Sequence, residues 1–321
     1  MDSSQLDRVE PDDVTAAVAL GRRIAQNVTA GVEVRPEVVE HLLVALVAEG
    51  HVLIEDLPGV GKTTLARALS RSLALEFARV QCTADLLPAD VVGTNVFNQR
   101  EDRFEFRPGP VFANVVLVDE VNRASPKTQS GLLECMQERR VTVDIYTHEL
   151  ARPFLVLATQ NPVEFEGTYP LPEAQVDRFM VRLSLGYPTA RAEVDMLAAH
   201  ETGDRVAELE PVADAAAVLG AVEAARRVRA SEPLRRYVVE LLVRTRDDSR
   251  TELGASPRAG LMLLRAAKAR ALLHGRDHAL PDDVQALARA VLAHRLVLAP
   301  EALEATGDEV VDDAVAAVPA L

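Results

Sequence analysis

The stretch Leu57-Pro58-Gly59-Val60-Gly61-Lys62-Thr63 lies between a short apolar run at 51–55 and a helical pattern at 64–75. Strand, glycine-containing loop and helix in this order are typical of a phosphate-binding loop, whose backbone N–H groups surround phosphate oxygens. In such a loop Lys62 contacts the β- and γ-phosphates, and the Thr63 hydroxyl binds Mg²⁺. The predicted nucleotide contacts are Pro58, Gly59, Val60, Gly61, Lys62, Thr63 and Thr64.

One position departs from the usual loop pattern. The full pattern, G-x-x-x-x-G-K-[ST], begins with glycine, whereas Asp56 stands there in this chain. A carboxylate directed at the phosphates would repel them. We therefore expect Asp56 to face away from the phosphates or to help position the loop.

A second stretch, Val115-Val116-Leu117-Val118-Asp119-Glu120-Val121-Asn122, is a hydrophobic strand that ends in two carboxylates. An Asp-Glu pair at a strand end is by itself usually a solvated terminus. Next to a phosphate-binding loop, Asp119 is expected to hold the Mg²⁺ shell and Glu120 to polarise the attacking water. Because the two stretches are spaced as a parallel nucleotide-binding sheet allows, the sequence predicts hydrolysis of a nucleoside triphosphate.

Composition limits the classes of protein that need considering. The chain has 321 residues, 48% hydrophobic and 26% charged, as expected for a globular protein with room for two domains. No apolar run reaches the ~18 residues of a membrane span, and the acidic start at 1–4 does not resemble a signal peptide, so we expect a cytoplasmic protein. The net charge of −14 argues against a broad nucleic-acid-binding surface, because phosphate contacts require clustered Lys and Arg.

The pattern along the chain changes near Tyr187-Pro188. Before this point, apolar runs alternate with helical patterns, which predicts an α/β domain with a parallel sheet and helices on both faces. After it, the spacing is helical and we expect no strand. The predicted organisation is a flexible N-terminus at 1–13, a nucleotide-binding domain at 14–187 and an all-α domain at 188–321. The predicted strands are 52–54, 78–82, 115–118, 154–158 and 181–185, and the predicted later helices are 191–200, 212–227, 234–245, 257–274, 281–293 and 300–318.

Several further motifs resemble the MoxR family of AAA+ ATPases. The resemblance covers about residues 50–260, with the blocks in family order and of high combined specificity. The matching blocks are Phe104-Glu105-Phe106-Arg107-Pro108-Gly109-Pro110-Val111-Phe112, Asp119-Glu120-Val121-Asn122-Arg123-Ala124-Ser125-Pro126-Lys127-Thr128-Gln129, Leu132-Leu133-Glu134, Met136-Gln137-Glu138, Ala158-Thr159-Gln160-Asn161-Pro162, Leu171-Pro172-Glu173-Ala174-Gln175, Asp177-Arg178-Phe179 and Gly254-Ala255-Ser256-Pro257-Arg258. The resemblance implies an AAA+ P-loop domain followed by a helical lid, with ATP and Mg²⁺ as cofactors.

The resemblance also implies roles for three residues outside the two stretches. Asn161 is similar to the sensor-1 residue that orients the attacking water. Arg178 resembles the arginine finger that one subunit offers to its neighbour's nucleotide, a task that suits a planar and always charged guanidinium. Arg258 resembles the sensor-2 arginine and is expected to reach the γ-phosphate of its own chain. Further candidates for the subunit interface are Arg123, Arg139 and Arg140.

Two segments resemble the inserts of this AAA+ clade. Residues 96–106, with a polar tip at 98–102, predict a hairpin within helix 2, and 140–154 predict a hairpin around Tyr146-Thr147-His148 that precedes sensor 1. In relatives these loops face a central pore or a partner. Ahead of the loop, Glu33-Val34-Arg35-Pro36 replaces the usual Val-Gly-Gln, which leaves the adenine contacts unassigned.

The function implied by the resemblance is a Mg²⁺-dependent ATPase that forms a homo-oligomeric ring, expected to be a hexamer. Such a ring acts as a chaperone that remodels or activates client proteins, often with a partner that carries a von Willebrand factor A domain. Three alternatives remain: a chelatase-like metal-insertion motor, a nucleotide-gated scaffold and a DNA-acting AAA+ motor. The acidic composition argues against the last.

Overall fold

A computed structural model describes residues 8–161, 168–187, 190–191, 193–194, 204–302 and 304–320. Within these residues no helix is both long and apolar enough to cross a bilayer. The strands are β1 (Val52–Glu55), β2 (Phe77–Gln81), β3 (Gly93–Asn98), β4 (Arg103–Pro108), β5 (Val115–Asp119), β6 (Arg140–Val143), β7 (Tyr146–Glu149), β8 (Leu155–Gln160), β9 (Val181–Leu183), β10 (Thr251–Leu253) and β11 (Val297–Leu298).

Five of these strands form one parallel sheet in the order β2-β5-β8-β1-β9, which confirms the predicted α/β fold. Strand β5 is buried at every position, as its uninterrupted apolar run predicts for a strand covered on both faces. The strand order brings the carboxyl ends of β1, β5 and β8 together at one edge. Ligands of open α/β sheets bind at this edge.

The helices in the first part of the chain are α1 (Pro11–Gly31), α2 (Pro36–Val47), α3 (Lys62–Ser72), α4 (Pro88–Val92), α5 (Pro126–Glu138) and α6 (Glu173–Val176). The predicted boundary of the flexible N-terminus is wrong, because Val9 is buried and α1 begins at Pro11. The residues before Asp13 are too few to show a regular spacing of apolar side chains, so the sequence did not indicate that Val9 packs into the core. Residues 1–7 lie outside the described part of the chain.

The second part of the chain is helical, as predicted. Its helices are α7 (Ala215–Arg227), α8 (Glu232–Arg246), α9 (Pro257–Leu273), α10 (Pro281–Leu292) and α11 (Gly307–Ala317). Helix α11 begins later than predicted, because the Thr306 hydroxyl and the Glu309 carboxylate satisfy the first free N–H groups there. Most of the helix predicted at 191–200 lies outside the described residues.

Two short strands in the helical part were not predicted. Strands β10 and β11 pair antiparallel, with Thr251 opposite Leu298. At three and two residues they are too short to show the alternation that identifies a strand in sequence. The expectation that no strand follows residue 188 is therefore wrong.

Both inserts are antiparallel hairpins. Strands β3 and β4 pair around 99–102, and β6 and β7 pair around Asp144-Ile145. The Tyr146-Thr147-His148 segment, predicted to be the turn of the second hairpin, lies in β7 instead. The hairpins contact each other, since Asn95 Nδ2 donates to Asp144 Oδ2 at 2.7 Å and the rings of Phe106 and His148 stack at 3.9 Å.

The largest hydrophobic core extends across both parts of the chain. Buried side chains of α1 and α2, among them Ile24 and Leu42, belong to the same cluster as buried side chains of the helical part, among them Val222 and Leu263. The helical part is therefore joined to the nucleotide-binding part by shared apolar packing as well as by the chain.

The imidazole of His51 is buried at the start of β1. Its Nδ1 accepts the N–H of Val156 at 3.1 Å, and its Nε2 lies 3.0 Å from the carbonyl oxygen of Met136. These contacts fix the neutral tautomer with the proton on Nε2, because a second proton on Nδ1 would face the Val156 N–H. Burial lowers the pKa of His51 to about 4.

We expect this histidine to make the protein acid-sensitive. Because its folded pKa lies below the unfolded value of about 6.5, the unfolded state binds more protons between these values, and stability falls as the pH drops through that window. Lowering the pH from ~7 to ~4.5 should reduce the free energy of unfolding by about 2 kcal/mol through the lowered pKa of His51. Urea denaturation at both pH values should show a smaller loss for His51→Gln than for the wild type. Equal losses in the two proteins would contradict the assignment.

Candidate active site

The loop after β1 has the backbone geometry of a phosphate-binding loop. Gly59 and Gly61 have φ angles of +86° and +92°, and α3 begins directly after them at Lys62. A Cβ at either glycine would meet no atom within 4 Å, so glycine is required there by the backbone conformation and not by space. The free N–H groups at the start of α3 therefore lie at the loop, where they can bind phosphate.

The side chain of Lys62 is directed into the same edge of the sheet. Its Nζ donates to the carbonyl oxygen of Asp56 at 2.9 Å. Burial lowers the pKa of Lys62, against an opposing effect of the carboxylates of Asp56, Asp119 and Glu120. The amine is thus close to the acidic pair and partly removed from water, where its charge acts more strongly on a phosphate.

The carboxylate of Asp56 faces away from the loop, as expected. It accepts hydrogen bonds from the Leu185 N–H at 2.5 Å, the Ser184 hydroxyl at 3.0 Å and the Gly186 N–H at 3.2 Å. These bonds tie the segment after β9 to the start of the phosphate-binding loop. Asp56, which replaces the first glycine of the pattern, therefore fixes the start of the loop to residues 184–186.

Asp119 and Glu120 lie at the carboxyl end of β5, beside the loop. Asp119 Oδ2 accepts from Arg79 Nε of β2 at 2.6 Å, and Glu120 Oε2 accepts from Gln81 Nε2 at 2.9 Å. Sequence reasoning missed Arg79 and Gln81. Both residues belong to β2, and the sequence could have indicated their role only if the pairing of β2 with β5 had been known.

Thr159 of β8 connects the two carboxylate residues and was also missed. Its hydroxyl accepts the Glu120 N–H at 2.9 Å and lies 3.3 Å from Asp119 Oδ1. Glu120 has a positive φ of 56°, which a residue other than glycine adopts only where its surroundings hold it. The Thr159 hydroxyl supplies one such constraint.

Thr159→Val should therefore affect both stability and turnover. The variant keeps the side-chain shape but leaves the half-buried Glu120 N–H without a partner, which costs up to about 1–3 kcal/mol. We expect a loss of this size in chemical denaturation, together with reduced ATP turnover. Thr159→Ser retains the hydroxyl and is the matched control. If both variants lose turnover equally, the hydroxyl is not the relevant group.

Asn161 follows β8 at the same edge of the sheet and is buried. Thr63 lies in the first turn of α3, and its hydroxyl has no hydrogen bond to the rest of the described chain. A threonine hydroxyl and the Asp119 carboxylate are hard oxygen ligands, which suit Mg²⁺ together with phosphate oxygens and water. No cluster of three His, Cys, Asp or Glu side chains that could hold a metal occurs among the described residues.

Arg178 and Arg258 lie at the opposite edge of the sheet. Both line a cavity of about 270 Å³ that borders Gly50 and His51, at the amino end of β1. The phosphate-binding loop follows the carboxyl end of the same strand. The expectation that Arg258 reaches the γ-phosphate of its own chain is therefore wrong, because α9 presents it on the side of Arg178.

These two arginines are only partly committed to contacts in their own chain. Arg178 Nη1 donates to the Leu133 carbonyl at 2.7 Å, while its buried Nε has no partner in the described structure. Arg258 forms neither a hydrogen bond nor an ion pair with any described residue. The cavity therefore presents guanidinium N–H groups that can still bind an anion.

The remaining interface candidates differ in their surroundings. Arg123 pairs with Glu120 at 3.2 Å, so it faces the site of its own chain. Arg139 lines the same 270 Å³ cavity as Arg178 and Arg258, the arginine cavity, and pairs with Glu49 at 2.5 Å. Arg140 is exposed and pairs with Glu138 at 3.1 Å.

The helical part holds the segment that carries Arg178. Arg295 follows α10, its side chain is 2% exposed, and its Nε donates to Asp177 Oδ1 at 2.8 Å. Its Nη2 also donates to the Phe179 carbonyl, and the Ser256 hydroxyl lies 3.3 Å from the Asp177 carboxylate. Arg178 is thus flanked on both sides by residues that contact the helical part.

Comparison with known proteins agrees with this geometry. Residues 51–181 match the model of the ATPase family associated with various cellular activities (AAA), and residues 243–314 match the AAA lid domain. The chain is 41% identical to the Mycobacterium tuberculosis protein named Chaperone MoxR1, over 83% of this chain and 73% of that protein. It is 35% identical to Protein MoxR of Methylorubrum extorquens, over 94% and 93%. The chain belongs to the MoxR family of AAA+ ATPases.

Two further relatives also match over most of their length. The MoxR-family chain is 52% identical to the uncharacterized Bacillus subtilis protein YeaC over 81% of each. A crystal structure of a Cytophaga hutchinsonii protein classed as an ATPase superposes with a TM-score of 0.90 at 37% identity, and the match covers 97% of both chains. The similarity therefore extends over both the nucleotide-binding part and the helical part of the chain.

Proposed function

We propose that this MoxR-family chain hydrolyses Mg²⁺-ATP as a homo-oligomeric ring, a hexamer, in which each active site is completed by the neighbouring subunit. The observation that carries the proposal is the separation of the two halves of the site. The phosphate-binding loop and the acidic pair lie at one edge of the sheet, and Arg178 and Arg258 lie at the other. Head-to-tail contacts in a ring bring opposite edges of adjacent subunits together.

Within one subunit, the chain binds ATP and prepares the water. Lys62 and the loop N–H groups bind the phosphates, and Thr63 and Asp119 hold Mg²⁺, which supplies positive charge to the phosphate oxygens. Glu120 polarises the attacking water and Asn161 orients it. The Thr159 hydroxyl keeps Glu120 in its strained position.

The neighbouring subunit contributes positive charge, which stabilises the negative charge on the phosphate oxygens in the transition state. The guanidinium of Arg178 donates to phosphate oxygens as negative charge redistributes, and Arg258 joins it from the lid. This places both arginines in trans. An isolated subunit binds ATP but turns it over poorly.

The ring uses this cycle to remodel client proteins in the cytoplasm, with a partner that carries a von Willebrand factor A domain. The two hairpins support this, because they project large apolar side chains into solvent. Phe104 is 71% exposed and Ile145 is 83% exposed. Large apolar side chains exposed on neighbouring hairpins are typical of surfaces that contact another protein.

The test is ATP turnover per subunit, measured across a wide range of protein concentrations. We expect turnover per subunit to rise steeply with concentration as rings form, with Glu120→Gln as the control that does not hydrolyse. Turnover per subunit that is substantial and independent of concentration, in a protein that sediments as a monomer, would overturn the shared site.

A further inference from the structure

The lid contains a second basic cavity, which is lined by different residues from the arginine cavity and contains no residue of the phosphate-binding loop. The ion pair between Arg226 and Glu49 connects the two cavities. It has a volume of about 920 Å³ and is bordered by the ends of α7, α8 and α10. Its lining contains five arginines, Arg8, Arg226, Arg227, Arg229 and Arg235. None of the described residues that line it is Asp or Glu, in a chain whose net charge is −14. We propose that this lid cavity binds a small polyphosphate ligand.

Three of the arginines are balanced by carboxylates that lie outside the cavity. Arg227 pairs with Asp13 at 2.5 Å, Arg229 with Asp277 at 2.7 Å and Arg226 with Glu223 at 2.9 Å. These pairs hold their guanidinium groups in place around the cavity. A fixed guanidinium loses less side-chain entropy when it binds an anion.

The other two arginines carry charge that no side chain balances. Arg235 donates to the Ala230 carbonyl at 2.9 Å and has no carboxylate partner among the described residues. Arg8 forms no hydrogen bond or ion pair within the described chain. The cavity therefore holds uncompensated positive charge, which an anion would neutralise.

Two helix amino ends border the cavity. Ser231 caps α8 and Pro281 opens α10, and both residues line the cavity. Arg235 stands in the first turn of α8, where a cation is unfavourable against the helix dipole. An anion bound near Arg235 removes this repulsion. The Leu234 N–H is already bonded to the Ser231 hydroxyl and the Asp283 N–H to the Leu280 carbonyl, so the guanidinium groups are the main donors to an anion.

The ligand class follows from the donors and the volume. Guanidinium forks match the tetrahedral oxygens of phosphate, and several arginines around one cavity suit two or more linked phosphates. The volume lies within the ~300–1,000 Å³ of small-molecule sites, so it fits a nucleotide-sized molecule better than an extended acidic peptide. Leu234 and Leu264 provide an apolar wall for a non-phosphate part.

Calorimetric titration with inorganic pyrophosphate tests the proposal. The full chain carries Lys62→Ala, which removes the phosphate contact of the loop and leaves the lid cavity to be measured. In this background Arg235→Ala should weaken pyrophosphate binding about tenfold or more, as expected for one charged hydrogen bond. Arg8→Ala should weaken it in the same direction. Arg236→Ala is the matched control, because Arg236 is the next residue of α8, pairs with Glu232 at 2.6 Å and does not line the cavity.

The outcomes separate the sources of the ligand. Tighter binding of ADP than of pyrophosphate would support the proposal and identify a nucleotide, whereas equal or weaker binding would support an inorganic polyphosphate. The proposal is overturned if pyrophosphate does not bind in the Lys62→Ala background, or if Arg235→Ala and Arg236→Ala have the same effect. It is also overturned if a hexaglutamate peptide binds more tightly than pyrophosphate.

Discussion

Arg178→Ala is expected to lower ATP turnover by about 10³- to 10⁵-fold, the range found when an arginine finger is withdrawn from a phosphoryl-transfer site. The variant should still bind ATP, because the phosphate-binding loop of its own chain is unchanged. Arg178 borders the amino end of β1, whereas the loop follows the carboxyl end. Steady-state turnover and equilibrium nucleotide binding, measured on the same preparation, separate the two effects.

Mixing two inactive variants provides a sharper form of this test. Glu120→Gln lacks the group that polarises water but retains Arg178, and Arg178→Ala has the reverse defect. Mixed rings would contain sites in which an intact Glu120 faces an intact Arg178 from the neighbour, so turnover should return on mixing. Replacing the Glu120→Gln subunit by the double variant Glu120→Gln/Arg178→Ala should abolish the recovery. Arg244→Ala, at an exposed lid arginine, controls for the loss of an arginine as such.

Mixing that fails to restore turnover, in rings shown to contain both variants, would mean that Arg178 does not act on a neighbouring nucleotide. Full activity of Arg178→Ala alone would exclude it as the finger altogether. In either case the arginine cavity would need another explanation.

Arg295→Met is expected to destabilise the protein by about 3–5 kcal/mol, the cost of removing one partner from a buried ion pair. The side chain is 2% exposed and its charge is balanced by Asp177, whose carboxylate would be left with the Ser256 hydroxyl alone. Chemical denaturation at neutral pH measures the loss. A loss below about 1 kcal/mol would show that the pair contributes little beyond its desolvation cost.

The matched variant, Arg295→Lys, keeps the charge but loses the planar fork that contacts Asp177 and the neighbouring carbonyl groups together. It should retain more stability than Arg295→Met. Asp177 precedes Arg178, so loss of its contact with Arg295 should also misplace the finger. The double variant Glu120→Gln/Arg295→Lys should therefore restore less turnover than Glu120→Gln does when each is mixed with Arg178→Ala. Normal recovery of turnover with Arg295→Lys would restrict Arg295 to a structural role.

The features that the sequence predicted best are those set by local chemistry. The loop at 57–63 requires glycines at two fixed positions, and the strand at 115–119 is an uninterrupted apolar run, so both are visible without knowledge of the fold. Thr159 and Gln81 were missed because their contacts depend on the order of the strands, which a single strand pattern does not contain.

The side on which Arg258 acts was predicted wrongly for a related reason. The Ser-Pro-Arg motif places Arg258 in the first turn of a helix, and this is correct. Its distance from the phosphates depends on how the lid packs against α1 and α2, and that packing is distributed over many apolar side chains. No single motif encodes it.

The shared core has a mechanical consequence. A lid attached only by a linker could swing as a hinge each time ATP binds, but here such a swing would tear apart a continuous apolar interior around Ile24 and Leu263. The protomer should therefore rotate as one rigid unit, so that the conformational change caused by ATP occurs at the interfaces between copies of the chain. If the proposed ring forms, each bound nucleotide would then change the orientation of the adjacent copy, and the force on a client would come from a change in the shape of the ring.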